Sequence, residues 1–201
     1  PVVCLSLRAG FPPQPLKLPE EASEATVSSL GLRSGESIIV QHVEPAGAQG
    51  LVLRRIIAAD NSCLFNAFGY VTEKVRDKAP SLRAVVAQRI AGDPERFCEA
   101  FLAKPNAEYC KWIQQENSWG GAIELSILAE HFECEIAAYD ICTKRRDLHG
   151  EGQGYAKRCM LIYDGIHYDA LALAAEKSAA ESDDITMFQA GAIAELVDSK
   201  A

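Results

Sequence analysis

Apolar positions along the chain recur with two periods, and the change from one to the other marks its organisation. In the first 43 residues the apolar runs are short and strand-like, "VVCLSL" and "ESIIVQHV", separated by the proline-rich "GFPPQPLKLP" and by "LGLRSGE", whose Gly31 and Gly35 suit turns. This stretch reads as a small, mostly β piece. Residues 44–50, "EPAGAQG", have the composition of a linker, and a domain boundary is placed there. "LVLRRII" at 51–57 then reads as a strand. After it Leu64, Phe68, Val71 and Val75 recur at helical spacing, giving the local order strand, turn, helix. Three short helices are predicted next: "LRAVVAQRI" capped by Ser81, "PERFCEAFL" opened by Asp93 and Pro94, and "AEYCKWIQQ" capped by Asn106. "GGAIELSILAEHF" places Ile123, Ile127 and Leu128 on one helical face. "CEIAAYDI" (134–141), "KRCMLIYDG" (157–165) and "HYDALAL" (167–173) revert to strand character, the last two joined as a hairpin through Asp164 and Gly165. The fold class is therefore α+β, with a domain over 51–175 and a loosely ordered tail over 176–201, where "EKSAAESDD" reads as solvated.

Composition narrows the function. Hydrophobic residues make up 48% of the 201 and charged residues 24%, enough apolar surface for a core. A net charge of -8 argues against nucleic acid as a partner, because that binding needs clustered Lys and Arg. The seven cysteines include no C-x-x-C pair, so no metal or other cofactor is expected, and their odd number and irregular spacing favour a reducing compartment, cytoplasm or nucleus, over a disulfide framework. No apolar run reaches the roughly 18–20 residues that span a bilayer, and "PVVCLSLRAGF" lacks the pattern of a signal peptide; no membrane insertion is expected.

The chemistry centres on "DNSCLFNAFGY" at 60–70. Cys63 falls in the first turn of the predicted helix, where unpaired N–H groups and the helix dipole favour a thiolate and could also receive an oxyanion. Asp60 and Asn61 supply the turn before it. A cysteine hydrolase also needs a base and a group that orients it. Of the four histidines, His42 lies in the N-terminal piece, His131 inside a helix, and His149 in the "DLHGEGQG" loop, which reads as mobile. His167 lies in a strand, and the two-residue period points it and Asp169 to the same face. The alternative is that Cys63 is simply a packed thiol and His167 with Asp169 a surface hydrogen bond. In "SWGGAIEL" the paired Gly120 and Gly121 allow close backbone approach beside Trp119, or are simply the entry turn of a helix.

Taken together, "ADNSCLFNAFGYV", "SWGGAIELSILAEHFECEIAAYD" and "LIYDGIHYDAL" resemble the ovarian-tumour (OTU) family of deubiquitinating cysteine proteases, over about residues 51–173. The wording "WGGAIEL" and "YDGIHYD" resembles a subgroup that carries an N-terminal UBX-like domain and works with the valosin-containing AAA ATPase. The first 43 residues resemble the second half of such a domain. The subgroup's C-terminal zinc finger has no counterpart after Ala175. The resemblance implies an OTU-type fold, a central sheet flanked by helices, and thiol-dependent hydrolysis of isopeptide bonds at the C-terminal glycine of ubiquitin, in protein quality control or ER-associated degradation. It implies ubiquitin and polyubiquitin chains as partners, with the ATPase as a further one. It makes Cys63 the nucleophile, His167 the base, Asp169 the orienting acid and Asp60 an active-site residue. Trp119, Gly120 and Gly121 would form the channel for the ubiquitin tail, with Asn61, Ser62, Ile123, Glu124 and Ile166 beside the substrate. The competing readings are a ubiquitin-binding adaptor with little turnover and a cysteine hydrolase for another modifier.

Overall fold

A computed structural model describes residues 50–190 and, of the N-terminal part, the backbone of the strands at 5–9, 14–15 and 38–42. The chain forms two compact units, 1–49 and 50–201. In the first, β1 (Leu5–Ala9) pairs antiparallel with β2 (Gln14–Pro15) and with β3 (Ile38–His42), in the order β2-β1-β3. The rest of the predicted UBX-like segment, and the linker up to residue 49, lie outside the described residues.

The second unit begins with β4 (Leu51–Arg55) and continues through α1 (Cys63–Glu73), α2 (Ala79–Gly92), α3 (Glu99–Leu102), α4 (Asn106–Ile113) and α5 (Ala122–His131). Strands β5 (Cys134–Asp140), β6 (Arg145–His149), β7 (Lys157–Tyr163), β8 (Tyr168–Ala174) and β9 (Met187–Gln189) complete it. The sheet runs β4-β8-β7-β5-β6, with β9 also paired to β7. Only β5 and β7 are parallel among these pairs; the others are antiparallel. β7 divides one edge between two partners: Lys157–Cys159 pair with β9, and Met160–Tyr163 with β8.

Helix α1 is the pivot of the core. Every residue from Leu64 to Val71 is buried, because the helix lies between the sheet and the other helices and has little solvent face. Gly69 permits this packing: a Cβ there would come within 2.7 Å of the Lys78 Cβ and 2.8 Å of the Val75 carbonyl. The main core joins α1, α2, α4 and α5 to one face of the sheet, while a smaller cluster of Ala137, Met160, Leu171, Leu173 and Phe188 covers the other.

The structure alters four details of the sequence reading. Helix α2 starts at Ala79, ahead of Pro80, since proline fits a first helical turn; the Ser81 hydroxyl donates to the Lys78 carbonyl inside that turn. Asp93 caps a short turn through the Arg96 N–H, but the helix proper is confined to Glu99–Leu102. Asn106 is not the cap of α4 but its first residue, and its side-chain amide donates to the Ile90 and Phe97 carbonyls. His149 belongs to β6, paired with Ile136, and its Nδ1 lies 2.9 Å from the Ser126 hydroxyl; it is not in a mobile loop.

The predicted tail is the largest correction, for residues 176–190 are docked on the sheet and on α1. Asp184 is only 5% exposed. Its carboxylate accepts from Arg55 Nη2 at 2.6 Å, from Arg55 Nε at 2.7 Å and from the Tyr70 hydroxyl at 2.6 Å. Lys74 donates to the Ser182 and Asp184 carbonyls, and Arg76 forms two bonds with Glu181. Ile185 bridges Leu173, and Phe188 closes the second face of the sheet. Burial alone would raise the Asp184 pKa, but the bonds from Arg55 and Tyr70 outweigh it and hold the carboxyl below its ordinary value. Asp184→Ala is expected to lower unfolding free energy by about 3 kcal/mol in chemical denaturation, because it leaves Arg55 without its buried partner. A group whose folded pKa is depressed stabilises above the unfolded value and loses that contribution as pH falls through the folded one. The Asp184→Ala difference should therefore be full at neutral pH and shrink on acidification below about pH 4.

Candidate active site

The turn at 60–62 forms because Asp60 can satisfy it locally: its Oδ1 accepts the Ser62 N–H at 2.8 Å. Ser62 is the N-cap of α1 and Cys63 its first residue, so the thiol emerges where the helix begins. Facing it is the loop between β7 and β8. Asp164 Oδ1 accepts the N–H groups of Ile166 (3.2 Å) and His167 (2.8 Å), with Gly165 at φ +101°, a conformation that favours glycine. The backbone of Tyr168, the residue after His167, lies close enough to the Cys63 sulfur to favour its anion, as does that of Leu64.

His167 and Asp169 meet as the two-residue period predicts, although His167 immediately precedes β8 and only Asp169 lies within it. His167 Nε2 is 3.1 Å from Asp169 Oδ1. With Nε2–H donated to the carboxylate, Nδ1 is the basic nitrogen of the neutral ring. Asp169 is fully buried, and two further donors fix it: the Ile57 N–H at 2.6 Å and Arg54 Nε at 2.5 Å. Sequence reasoning missed Arg54. Its signal was weak: an arginine pair in a strand, of which Arg54 binds Asp169 and Arg55 binds Asp184.

A cleft of about 250 Å³ runs up to the thiol, lined among others by Asn61, Cys63, Trp119, Gly121, Ile166 and Tyr168. Trp119 Nε1 donates to Asn61 Oδ1 at 2.6 Å, which ties the indole to the cysteine turn. Tyr163 and Tyr168 stack at 4.4 Å between centroids along the same cleft. The two glycines do different work. A Cβ on Gly120 would meet the Phe65 ring at 3.1 Å, so Gly120 packs onto the floor. A Cβ on Gly121 would meet nothing within 4 Å, so that position borders open space. Trp119 and Ile166 are 57% and 69% exposed, apolar side chains left at the rim.

One expected substrate contact is placed otherwise. Glu124 is 2% exposed: its carboxylate accepts the Gly121 N–H at 2.7 Å and the Tyr109 hydroxyl at 2.6 Å. It shapes the start of α5 from inside and does not reach the substrate face, because a glutamate three residues into a helix folds back onto the first N–H. Ile123 is half-buried against the main core. Burial raises the Glu124 pKa despite its hydrogen bonds. Burial likewise pushes the Cys63 thiol up; the Tyr168 and Leu64 N–H groups pull it back only in part, and the charges of Asp60 and Asp169 oppose ionisation further. The helix end alone therefore does not yield a resting thiolate. Among the described residues no group of three or more His, Cys, Asp or Glu could hold a metal ion, and no helix is long and apolar enough to cross a membrane.

Residues 58–169 match the model of the OTU-like cysteine protease family. Over 143 residues the chain is 55% identical to an ovarian tumour domain-containing deubiquitinating enzyme 2 of Arabidopsis thaliana, covering 71% of this chain and 69% of that one. Over 190 residues it is 44% identical to the ubiquitin thioesterase OTU1 of Gallus gallus, covering 85% of this chain and 62% of the relative. The chain thus spans between three-fifths and seven-tenths of the length of these curated relatives. A solved OTU domain in complex with ubiquitin superposes with a TM-score of 0.65 at 26% identity, over 78% of this chain and 89% of that one. The OTU domain of OTUD1 shares the fold, with a TM-score of 0.53 at 19% identity, over 60% of this chain and 85% of that one. With a thiol at a helix start and a histidine held by a buried carboxylate between two residues of the cleft wall, Ile166 and Tyr168, the matches have one conclusion: the chain belongs to the OTU family of cysteine proteases.

Proposed function

We propose that this chain is a deubiquitinase that hydrolyses isopeptide bonds at the C-terminal glycine of ubiquitin. The observation that carries the reading is the cleft itself: it ends at Cys63, beside the loop that carries His167, and its open wall is Gly121. A cleft walled by a glycine accepts an extended strand without side chains at its reactive end, which is the chemistry of a Gly-Gly tail. The relatives named as a deubiquitinating enzyme and a ubiquitin thioesterase, and the related OTU domain solved with ubiquitin, support the same substrate.

In this reading the resting thiol is protonated, and His167 Nδ1 removes its proton as the sulfur attacks the glycyl carbonyl. Asp169 keeps the ring oriented and stabilises the imidazolium. Backbone N–H groups at the start of α1 receive the oxyanion. The imidazolium protonates the departing lysine amine, and water, activated by the same histidine, hydrolyses the thioester. Asp60 takes part by shaping the turn. We also assign the valosin-containing AAA ATPase as a partner of the N-terminal segment and a role in protein quality control, on the resemblance of the sequence blocks, and a cytoplasmic or nuclear location on the cysteine pattern.

A ubiquitin probe with a C-terminal electrophile should form a covalent adduct with the wild-type chain and with Cys98→Ala but not with Cys63→Ala; labelling of the Cys63→Ala protein would refute the assignment of the nucleophile. Asp169→Asn should lower kcat by about 10²–10⁴-fold. Because burial raises the Cys63 pKa, its rate of alkylation by iodoacetamide should rise with pH through an inflection above the ordinary thiol value of about 8.5. Gly121→Val leaves the packing intact but fills the open wall, and it should reduce kcat/KM for a ubiquitin substrate roughly 10²-fold while iodoacetamide still alkylates Cys63 at the wild-type rate.

A further inference from the structure

Arg83 has no place in the mechanism above, yet it is the most heavily engaged charged group behind the nucleophile. It comes from α2 and is 2% exposed. Nη1 donates to the Ile113 carbonyl at 2.8 Å. Nη2 donates to the Asn61 carbonyl at 3.0 Å, to the Ser62 hydroxyl at 3.2 Å and, at the margin of bonding distance, to the Glu116 carbonyl at 3.4 Å. Its guanidinium lies 4.4 Å from the centre of the Phe65 ring, on α1. One buried fork thus joins the cysteine turn, the end of α4 that leads to Trp119, and the first turn of α1.

The acceptor at Asn61 is the informative one. The carbonyl of Asn61 and the N–H of Ser62 belong to one trans peptide, so they point in opposite directions. Arg83 holds the carbonyl end at 3.0 Å, and the Asp60 carboxylate holds the N–H end at 2.8 Å. A peptide gripped at both ends cannot rotate. The next N–H along, that of Cys63, is engaged only weakly, at 3.4 Å from the Asp60 carbonyl, which leaves it available to a ligand. We infer that Arg83 is a positioning residue: with Asp60 it clamps the Asn61–Ser62 peptide so that the backbone N–H at Cys63 is preset to receive the oxyanion. This rests on the reading of the chain as an acyl-transfer enzyme. The clamp depends on the fork geometry of arginine and not on charge alone, because a lysine ammonium cannot reach three separate segments at once.

The test compares wild type, Arg83→Lys, Asp60→Ala and the double variant in three assays: hydrolysis of a fluorogenic ubiquitin C-terminal amide, alkylation of Cys63 by iodoacetamide, and thermal unfolding. Alkylation needs the thiolate but no oxyanion site. Arg83→Lys should lower kcat about 10²-fold with KM within about twofold and the alkylation rate unchanged, as for loss of one oxyanion donor. Asp60→Ala removes a charge that opposes Cys63 ionisation, so its alkylation rate should hold or rise while kcat falls. Both act on one peptide, so the double variant should lose less than the product of the single losses. The clamp is overturned if Arg83→Lys changes kcat less than threefold, if alkylation falls in parallel with kcat, or if the losses multiply. Should Arg83→Lys fail to fold, Asp60→Ala decides alone, since Asp60 is on the surface: an unchanged kcat there overturns the clamp. A wild-type chain with no turnover of the ubiquitin substrate would instead overturn the functional reading, and the clamp with it.

Discussion

The Asp169 carboxylate is completely removed from water, and a buried charge persists only where donors surround it. Its three donors come from separate places: Arg54 at the end of β4, Ile57 just after it, and His167 beside the thiol. The requirement to satisfy one carboxylate therefore fixes where the chain leaves β4, and so where the cysteine turn begins six residues after Arg54. It also fixes the ring that faces that turn. Strand register adds to this, since Arg55 pairs with Ala170 next door. The site's geometry and the stability of the sheet edge are one constraint seen from two sides.

A second buried carboxylate repeats the arrangement on the neighbouring residue of β4. Arg54 binds Asp169 and Arg55 binds Asp184, so the alternation of a strand sends adjacent arginines to different tasks. One holds the histidine's partner; the other fastens the segment that follows β8. Glu124 is a third internal carboxylate, capping α5 and setting the direction in which Trp119, Gly120 and Gly121 enter the cleft. Of these three internal acids, Asp169 and Glu124 position parts of the site, and Asp184 holds the segment beyond it.

What the sequence made legible follows from which forces are local. The 167/169 pairing was readable because two-residue alternation is a property of the strand. The turn-to-helix setting of Cys63 was readable because Asp60 closes it within three residues. The hairpin through Asp164 and Gly165 was equally self-announcing. Arg83 was not, since on a helix an arginine at that spacing reads as solvated, and nothing local says that three carbonyls wait for it. The docking of 176–190 was hidden for the same reason: acidic and small residues have the composition of a tail until Arg55, Tyr70 and Lys74, more than 100 residues earlier in the chain, are brought opposite them. Glu124 was misplaced because a carboxylate near a predicted cleft looks like a contact, and only burial identifies it as a cap.

The strand that carries Asp169 lies far down the chain from the helix that carries Cys63, and the two meet only in the folded state, where α1 packs on β8. Synthesis proceeds from the N-terminus, and contacts between distant segments close late because loop-closure entropy must be met first. A nascent chain therefore carries its cysteine well before the histidine that deprotonates it has been made, and in the completed fold burial holds the thiol pKa up. Hydrolytic competence arrives only when β8 seats between β4 and β7. The long separation of nucleophile and base makes completion of the fold the switch that turns the chemistry on.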